Sequence, residues 1–263
     1  MNGQGDAGPA RAGESTADEL AGLRVLVTGG ASGIGHAVTT AALARAAHVA
    51  VLDLDPANAP GGAIPMAGDV TDDRSVRAAV ERVVATMGGL DILVNNAGIG
   101  AQGNVEANPL EEWRHVFEVN VLGMVRVTRA ALPYLRRSPH AAVVNVCSIA
   151  ATAGLPDRAL YSASKGAVLS LTLALAADHL HEGIRVNCVN PGTTNTPWVG
   201  RLLDRASDPA AERAALEARQ PSGRLVTPQE VAAAVLHLAG PSAGATTGTS
   251  LAVDGGMAGL RLR

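Results

Sequence analysis

The chain has 263 residues with 21 basic and 24 acidic side chains, and its net charge of -3 leaves no cationic excess for a nucleic-acid backbone or an anionic membrane. Apolar residues make up 47%, yet only two Trp, two Tyr and one Phe are present, so Ala, Val, Leu and Ile must fill the core. That composition suits buried parallel strands covered by helices, and the length fits one α/β domain.

The first 17 residues are rich in Gly, Ala and polar side chains and lack the apolar stretch of a secretory signal. Residues 1–20 are therefore expected to form a disordered tail, with the folded domain over 21–263. No run reads as the ~20 apolar residues of a membrane span, which gives a cytoplasmic expectation. Cys147 and Cys188 each lie in an apolar run and read as small core side chains. No metal site is expected.

RVLVT at 24–28 reads as the first strand, and TGGASGIG follows, with Gly29, Gly33 and Gly35 where the chain turns into a helix over 34–46. Bare backbone lets phosphate oxygens approach, and a helix N-terminus offers N–H groups and partial positive charge. The spacing Gly-x-x-x-Gly-x-Gly differs from the commonest dinucleotide fingerprint, so the turn alone is weak evidence. The second strand, HVAVLD at 48–53, ends on Asp53, 18 residues after Gly35. A carboxylate there can accept hydrogen bonds from both adenosine ribose hydroxyls and would repel a 2′-phosphate. Neither Ser32 nor Leu54 is basic, so the pattern favours NAD over NADP.

AIPMA at 63–67 is the third strand, followed by Asp69 and Val70 and by a helix over 72–87. DILVN at 91–95 is the fourth, running into Asn96, Ala97 and Gly98. Polar ends on buried strands fit a ligand edge lying across the carboxyl end of a sheet. A long helix over 110–137 holds Asn120, a poor helix former among Val and Leu.

The fifth strand, AVVNVCS at 142–148, ends on Ser148, 13 residues before Tyr161. The chain has 20 Arg and one Lys, and the Lys is Lys165, four residues after Tyr161 in YSASK. On the helix expected over 158–181 that spacing stacks the two on one face, and an ammonium beside a phenol favours the phenolate. A proton donor and acceptor gains from such tuning. Ser148 would hold a substrate oxygen beside the phenol; no His follows a strand end where it could activate a serine nucleophile.

IRVNCVN at 184–190 is the sixth strand. Residues 196–222, with the charged stretch DPAAERAALEARQ, read as a substrate lid or as a plain surface insertion. A helix over 227–239 and the strand SLAVD at 250–254 complete seven strands, mostly parallel, with helices on both faces in a Rossmann-type doubly wound sheet.

Taken together, TGGASGIG, NNAG at 95–98, Asn120, Ser148, YSASK and NPGTTNTP at 190–197 resemble the short-chain dehydrogenase/reductase family, from about Leu23 to Gly256. The resemblance implies strand order 3-2-1-4-5-6-7 and a catalytic set of Asn120, Ser148, Tyr161 and Lys165. Tyr161 would exchange a proton with the substrate oxygen while hydride passes to or from nicotinamide. Lys165 would also hold the nicotinamide ribose, and Asn120 a water-linked proton relay. Gly29, Ser32, Gly33, Ile34 and Gly35 would cradle the NAD phosphates. Asp53, Leu54, Asp69, Val70, Asn96, Ala97 and Gly98 would line the adenosine side, and Pro191, Gly192, Thr194 and Thr196 the nicotinamide side. Dimers or tetramers would form through the helices at 110–137 and 158–181, with Ala163, Gly166, Ala167, Ser170 and Ala174 either permitting close approach or facing the sheet. Ala46-Ala47 departs from the family, many of whose members carry glycine there.

The segment from Pro191 to Arg224 is similar to a subgroup with type 2 3-hydroxybutyrate dehydrogenases and 2-keto-3-deoxy sugar-acid dehydrogenases. It implies that Arg158 and Arg219 grip a substrate carboxylate, a bidentate geometry that guanidinium suits; Arg201 is offset by one position. The leading expectation is an NAD-dependent oxidoreductase of a small secondary alcohol or ketone, with hydroxy and keto acids among the candidate substrates. Alternatives are a 3-oxoacyl thioester reductase, a steroid or polyol dehydrogenase, or a cofactor-binding regulator without chemistry.

Overall fold

The computed structural model describes residues 19–204 and 206–261. Seven strands form one sheet: β1 Arg24–Thr28, β2 His48–Asp53, β3 Ile64–Ala67, β4 Ile92–Asn95, β5 Ala142–Val146, β6 Arg185–Pro191 and β7 Ser250–Val253. Their order is β3-β2-β1-β4-β5-β6-β7, and every neighbouring pair is parallel. The order reverses between β1 and β4, where a crevice opens beyond the strands' carboxyl ends.

Alternation along each strand divides the core into two layers. Val25 and Val27 point to one face, with Val94, Val144 and Val235, under α1 (Gly33–Leu43) and α8 (Pro228–Ala239). Leu26 points to the other, with Leu52, Leu93, Val80 and Val127, under α2 (Asp73–Met87) and α4 (Gly123–Leu135). Each such side chain taken fully out of water contributes about 1.5–3 kcal/mol, so aliphatic burial on both faces compensates for the scarcity of aromatics. Helix ends are set locally: Asp72 accepts from the N–H groups of Arg74 and Ser75 to start α2, and Gly88, at φ 76°, ends it. Thr227 and Glu230 form a reciprocal capping box at the start of α8.

The helix expected over 110–137 runs from Leu110 to Leu135 with one π turn inside it. α3 (Leu110–Phe117) and α4 flank a π turn at Glu118–Leu122, in which the Gly123 N–H reaches back five residues to the Glu118 carbonyl. Asn120 explains the wide turn. Its Oδ1 accepts from the Ile99 N–H at 2.8 Å, and its Nδ2 donates to the Ile99 carbonyl at 2.9 Å and to Ser164 Oγ at 3.1 Å.

α5 (Ala159–His179) buries Leu160, Ser164, Lys165, Val168, Thr172 and Ala176, a stripe at helical spacing facing the sheet. With its last turn to Glu182 it is long and apolar enough to cross a membrane, contrary to the expectation that no segment is; its buried stripe makes it a covering helix of this sheet. Ala163, Ser170, Leu173 and Ala174 lie exposed on its other face.

Residues 1–18 of the expected tail lie outside the described residues. Leu20 is buried in the α1 and α8 core, and Glu19 Oε1 accepts from the Ser242 N–H at 2.9 Å, so packing begins ahead of residue 21. Ala46 adopts φ 57°, the left-handed region that favours glycine.

Candidate active site

A cavity of about 510 Å³ lies across the carboxyl ends of β1, β2, β4, β5 and β6. At one end are Gly29, Ser32, Gly33 and Ile34. Gly29 and Gly33 have φ of 63° and 53°, which glycine adopts without cost, and Ser32 at the head of α1 makes no side-chain capping bond, leaving that helix N-terminus open to an anion. Asn96 fixes this turn: its Nδ2 donates to the carbonyls of Thr28 and Gly29 at 2.9 and 3.0 Å. Gly35 does not line the cavity. A Cβ there would run into the Gly29 carbonyl and the Asn96 side chain, so this glycine permits close packing behind the turn.

Asp53 and Leu54 form the next part of the wall. Asp53 Oδ2 accepts from the Ala31 N–H at 3.0 Å and Oδ1 from the Asp55 N–H at 3.3 Å, which aims the carboxylate across the turn with lone pairs to spare. Val70, Ala97 and Gly98 follow along the wall, whereas Asp69 is set back, its Oδ1 accepting from both the N–H and hydroxyl of Thr71 at 2.8 Å.

In the middle of the cavity Ser148, Tyr161 and Lys165 come together from β5 and α5. Ser148 Oγ accepts from the Ala150 N–H at 3.1 Å, leaving its own O–H free to donate. Lys165 is 5% exposed; its Nζ donates to the Val146 carbonyl at 3.0 Å and stands 5.7 Å from the Tyr161 ring centre. Gly98 keeps the space in front of it open: a Cβ there would sit 3.6 Å from Lys165 Nζ and 3.1 Å from Asn120 Oδ1. Asn120 itself is fully buried behind the wall and does not reach the cavity, because its carboxamide is spent on Ile99 and Ser164. Cys147 lines the cavity, and its thiol donates to the Lys165 carbonyl at 3.2 Å; the neighbouring Cys188 thiol first, and then burial, push it above the usual thiol range. Both cysteines are free and buried, as their apolar surroundings suggest.

Pro191, Gly192, Thr194 and Thr196 line the far end, and α6 (Pro197–Leu203) and α7 (Pro209–Ala218) close over it around a small core of Val199, Leu203, Leu216 and Leu225. This wall carries Arg201 and Arg219 and faces Arg158. Burial first, and the neighbouring Arg219 guanidinium second, pull Arg158 below the usual arginine range. None of the three forms a salt bridge among the described residues.

A family model described as enoyl-(acyl carrier protein) reductase, of the short-chain dehydrogenase/reductase type, matches residues 29–258. The 2-(S)-hydroxypropyl-CoM dehydrogenase 3 of Xanthobacter autotrophicus is 38% identical over 90% of this chain and 96% of its own length. The cis-4-hydroxycyclohexanecarboxylate dehydrogenase of Sinomonas cyclohexanicum is 40% identical over 93% and 98%. The ligand-free aldohexose dehydrogenase of Thermoplasma acidophilum superposes with a TM-score of 0.88 at 32% identity, covering 94% of this chain and 99% of that one. The chain belongs to the short-chain dehydrogenase/reductase family.

As a short-chain dehydrogenase/reductase it is an oxidoreductase acting on CH–OH groups of small molecules, in a family that uses NAD or NADP. Within this dehydrogenase/reductase, sequence reasoning missed Trp198 and Met257, both of which line the cavity. The Trp198 ring lies against Gly100, where no side chain could fit. One of only two tryptophans, placed just after Thr196-Pro197 in the expected lid, was the available signal. Nothing in the pattern marks Met257, which arrives from the loop after β7.

Proposed function

We propose that this chain is an NAD-dependent dehydrogenase or reductase of a small secondary alcohol or ketone carrying an anionic group. The observation that carries the reading is the run of one cavity from the open α1 N-terminus and Asp53, past Ser148, Tyr161 and Lys165, to three arginines that form no salt bridge among the described residues.

A dinucleotide fits these residues. The glycine turn and α1 N-terminus would take its phosphates, and the free lone pairs of Asp53 the adenosine ribose hydroxyls. The same negative charge disfavours a 2′-phosphate, which supports NAD over NADP. When bound, nicotinamide takes or gives the hydride. Ser148 would donate its O–H to the substrate oxygen, and Tyr161 would take or give that oxygen's proton. Lys165 has two N–H donors beyond the one given to Val146, enough to hold a ribose hydroxyl. Asn120 would act by fixing the π turn against Ile99.

Arg158 and Arg219 would hold a substrate carboxylate by paired hydrogen bonds, with Arg201 on the same wall. One relative, from Sinomonas cyclohexanicum, is named for a hydroxy acid. The small exposed residues of α5 support a homodimer or homotetramer, and two free buried thiols support a cytoplasmic location.

The test is a screen of hydroxy acids, sugar acids and secondary alcohols with NAD and NADP in parallel, run on the parent and on Tyr161→Phe. The parent should oxidise hydroxy acids with NAD, and Tyr161→Phe should bind NADH yet lose turnover. A Tyr161→Phe enzyme as active as the parent, or a parent that prefers NADP, would overturn the corresponding part.

A further inference from the structure

Arg158 reaches the cavity from an unusual piece of backbone. The residue before it, Asp157, has φ 54°, a left-handed conformation uncommon outside glycine and adopted among other residues mostly by Asn and Asp. The Asp157 side chain is exposed and makes no hydrogen bond among the described residues, so nothing in its own packing requires that conformation.

The reason lies across the chain. Gly103 and Arg158 form an isolated parallel bridge: the Gly103 N–H donates to the Asp157 carbonyl at 2.9 Å, and the Ala159 N–H donates to the Gly103 carbonyl at 3.3 Å. The Asp157 carbonyl also accepts from Arg158 Nη1 at 2.7 Å. One backbone oxygen, aimed by the left-handed turn, therefore holds both the crossing strand and the guanidinium. Gly103 has φ 129°, and a Cβ on it would come within 2.9 Å of Ala107 Cβ and Asn108 Oδ1. Asn108 stiffens that loop, donating through Nδ2 to the Gln102 carbonyl at 2.8 Å and to Glu112 Oε2 on α3 at 3.0 Å.

Two backbone positions outside the common regions thus meet at one cavity arginine, each held by hydrogen bonds. Such conformations persist where the surroundings over-determine them. We propose that Asp157 is a positioning residue, which through its left-handed backbone and the Gly103 crossing aims the Arg158 guanidinium at the anionic group of the substrate. The inference rests on the anionic-substrate reading above. It goes beyond it by assigning the aim of Arg158 to residues that touch neither substrate nor cofactor.

The test compares Asp157→Val, Asp157→Gly, Asp157→Asn and Arg158→Ala, each assayed with NAD on the best hydroxy acid from the screen and on its neutral methyl ester. Valine resists φ above zero, whereas glycine and asparagine adopt it and differ from aspartate in charge. Asp157→Val should raise KM for the acid on the order of tenfold while sparing kcat, ester turnover and NADH binding, and Arg158→Ala should raise KM for the acid at least as far. Asp157→Gly and Asp157→Asn should keep the parent KM. Equal shifts in Asn, Gly and Val would assign the effect to the carboxylate charge, and an equal loss on acid and ester in Asp157→Val would assign it to general disruption; either overturns the proposal. An Arg158→Ala enzyme unchanged on the acid removes the anionic reading itself, and the positioning role falls with it. A shift in Arg158→Ala without one in Asp157→Val overturns the positioning role alone.

Discussion

Asp91, just before β4, holds Arg24 at the start of β1 by three hydrogen bonds: from the Arg24 N–H at 2.8 Å, from Nε at 2.7 Å and from Nη2 at 2.8 Å. Ser138 adds a fourth at 2.6 Å, from the end of α4. Burial pushes the Asp91 carboxyl up, but the hydrogen bonds from Arg24 and Ser138 outweigh it and hold the group below the usual carboxylate range. A lowered folded-state value means the stabilisation is complete above the ordinary carboxylate pKa and is lost as pH falls through the folded value. Asp91→Asn is expected to destabilise the protein by about 2–3 kcal/mol near neutral pH. Urea unfolding of parent and variant should show that gap narrowing in acid; a gap that stays constant down to the lowest accessible pH would remove the ion pair from the account.

Ala46 pays for its left-handed φ of 57° with a Cβ that gains nothing, being exposed. Ala46→Gly should stabilise by about 0.5–1 kcal/mol, the relief of strain exceeding glycine's added freedom in the unfolded chain. Thermal unfolding reads this directly. A lower Tm in the variant would show that the turn does not need this conformation.

Lys165→Arg preserves the charge but replaces a compact ammonium with a planar fork in a site that is 5% exposed. Its turnover should fall on the order of a hundredfold or more, with the fold intact by circular dichroism. Turnover within about threefold of the parent would mean that any cation suffices beside Tyr161.

Ala163 and Ala174 lie exposed on α5 beside Leu173, which is 50% exposed. Replacing both alanines with Arg would place two large charges on a face of small side chains. Sedimentation velocity should show an oligomeric parent and a smaller variant. A monomeric parent would mean that the α5 face does not join subunits.

Most of the fold was legible because β-branched runs and helical apolar stripes are local signals. β1 and β2 fall where RVLVT and HVAVLD predict, and the other strands shift by a residue or two. What escaped depended on contacts distant in sequence. The π turn at Asn120 exists because its side chain clamps Ile99, 21 residues away, and periodicity over 110–137 carries no trace of that partner. Leu20 belongs to the core through helices whose packing the local composition cannot reveal. In the cavity, glycines and strand-end residues were placed well by motif, but position beside a ligand path did not distinguish wall from support: Gly35 and Asp69 stand behind it. Arg201, offset by one in the resemblance, reaches the cavity nevertheless, since a helical wall lets neighbouring positions share one opening.

The wide turn at Glu118–Leu122 also constrains how this chain can vary. One residue of an α-helix corresponds to about 100° of rotation, so deleting a single amino acid there would spin α4 about its axis. Val127, Ala131 and Leu135 would leave the β-sheet together, and Arg126 would lose Glu118. The wide turn and the helix after it are therefore coupled: the residue that lets Asn120 reach Ile99 also sets the hydrophobic register with which α4 meets the sheet.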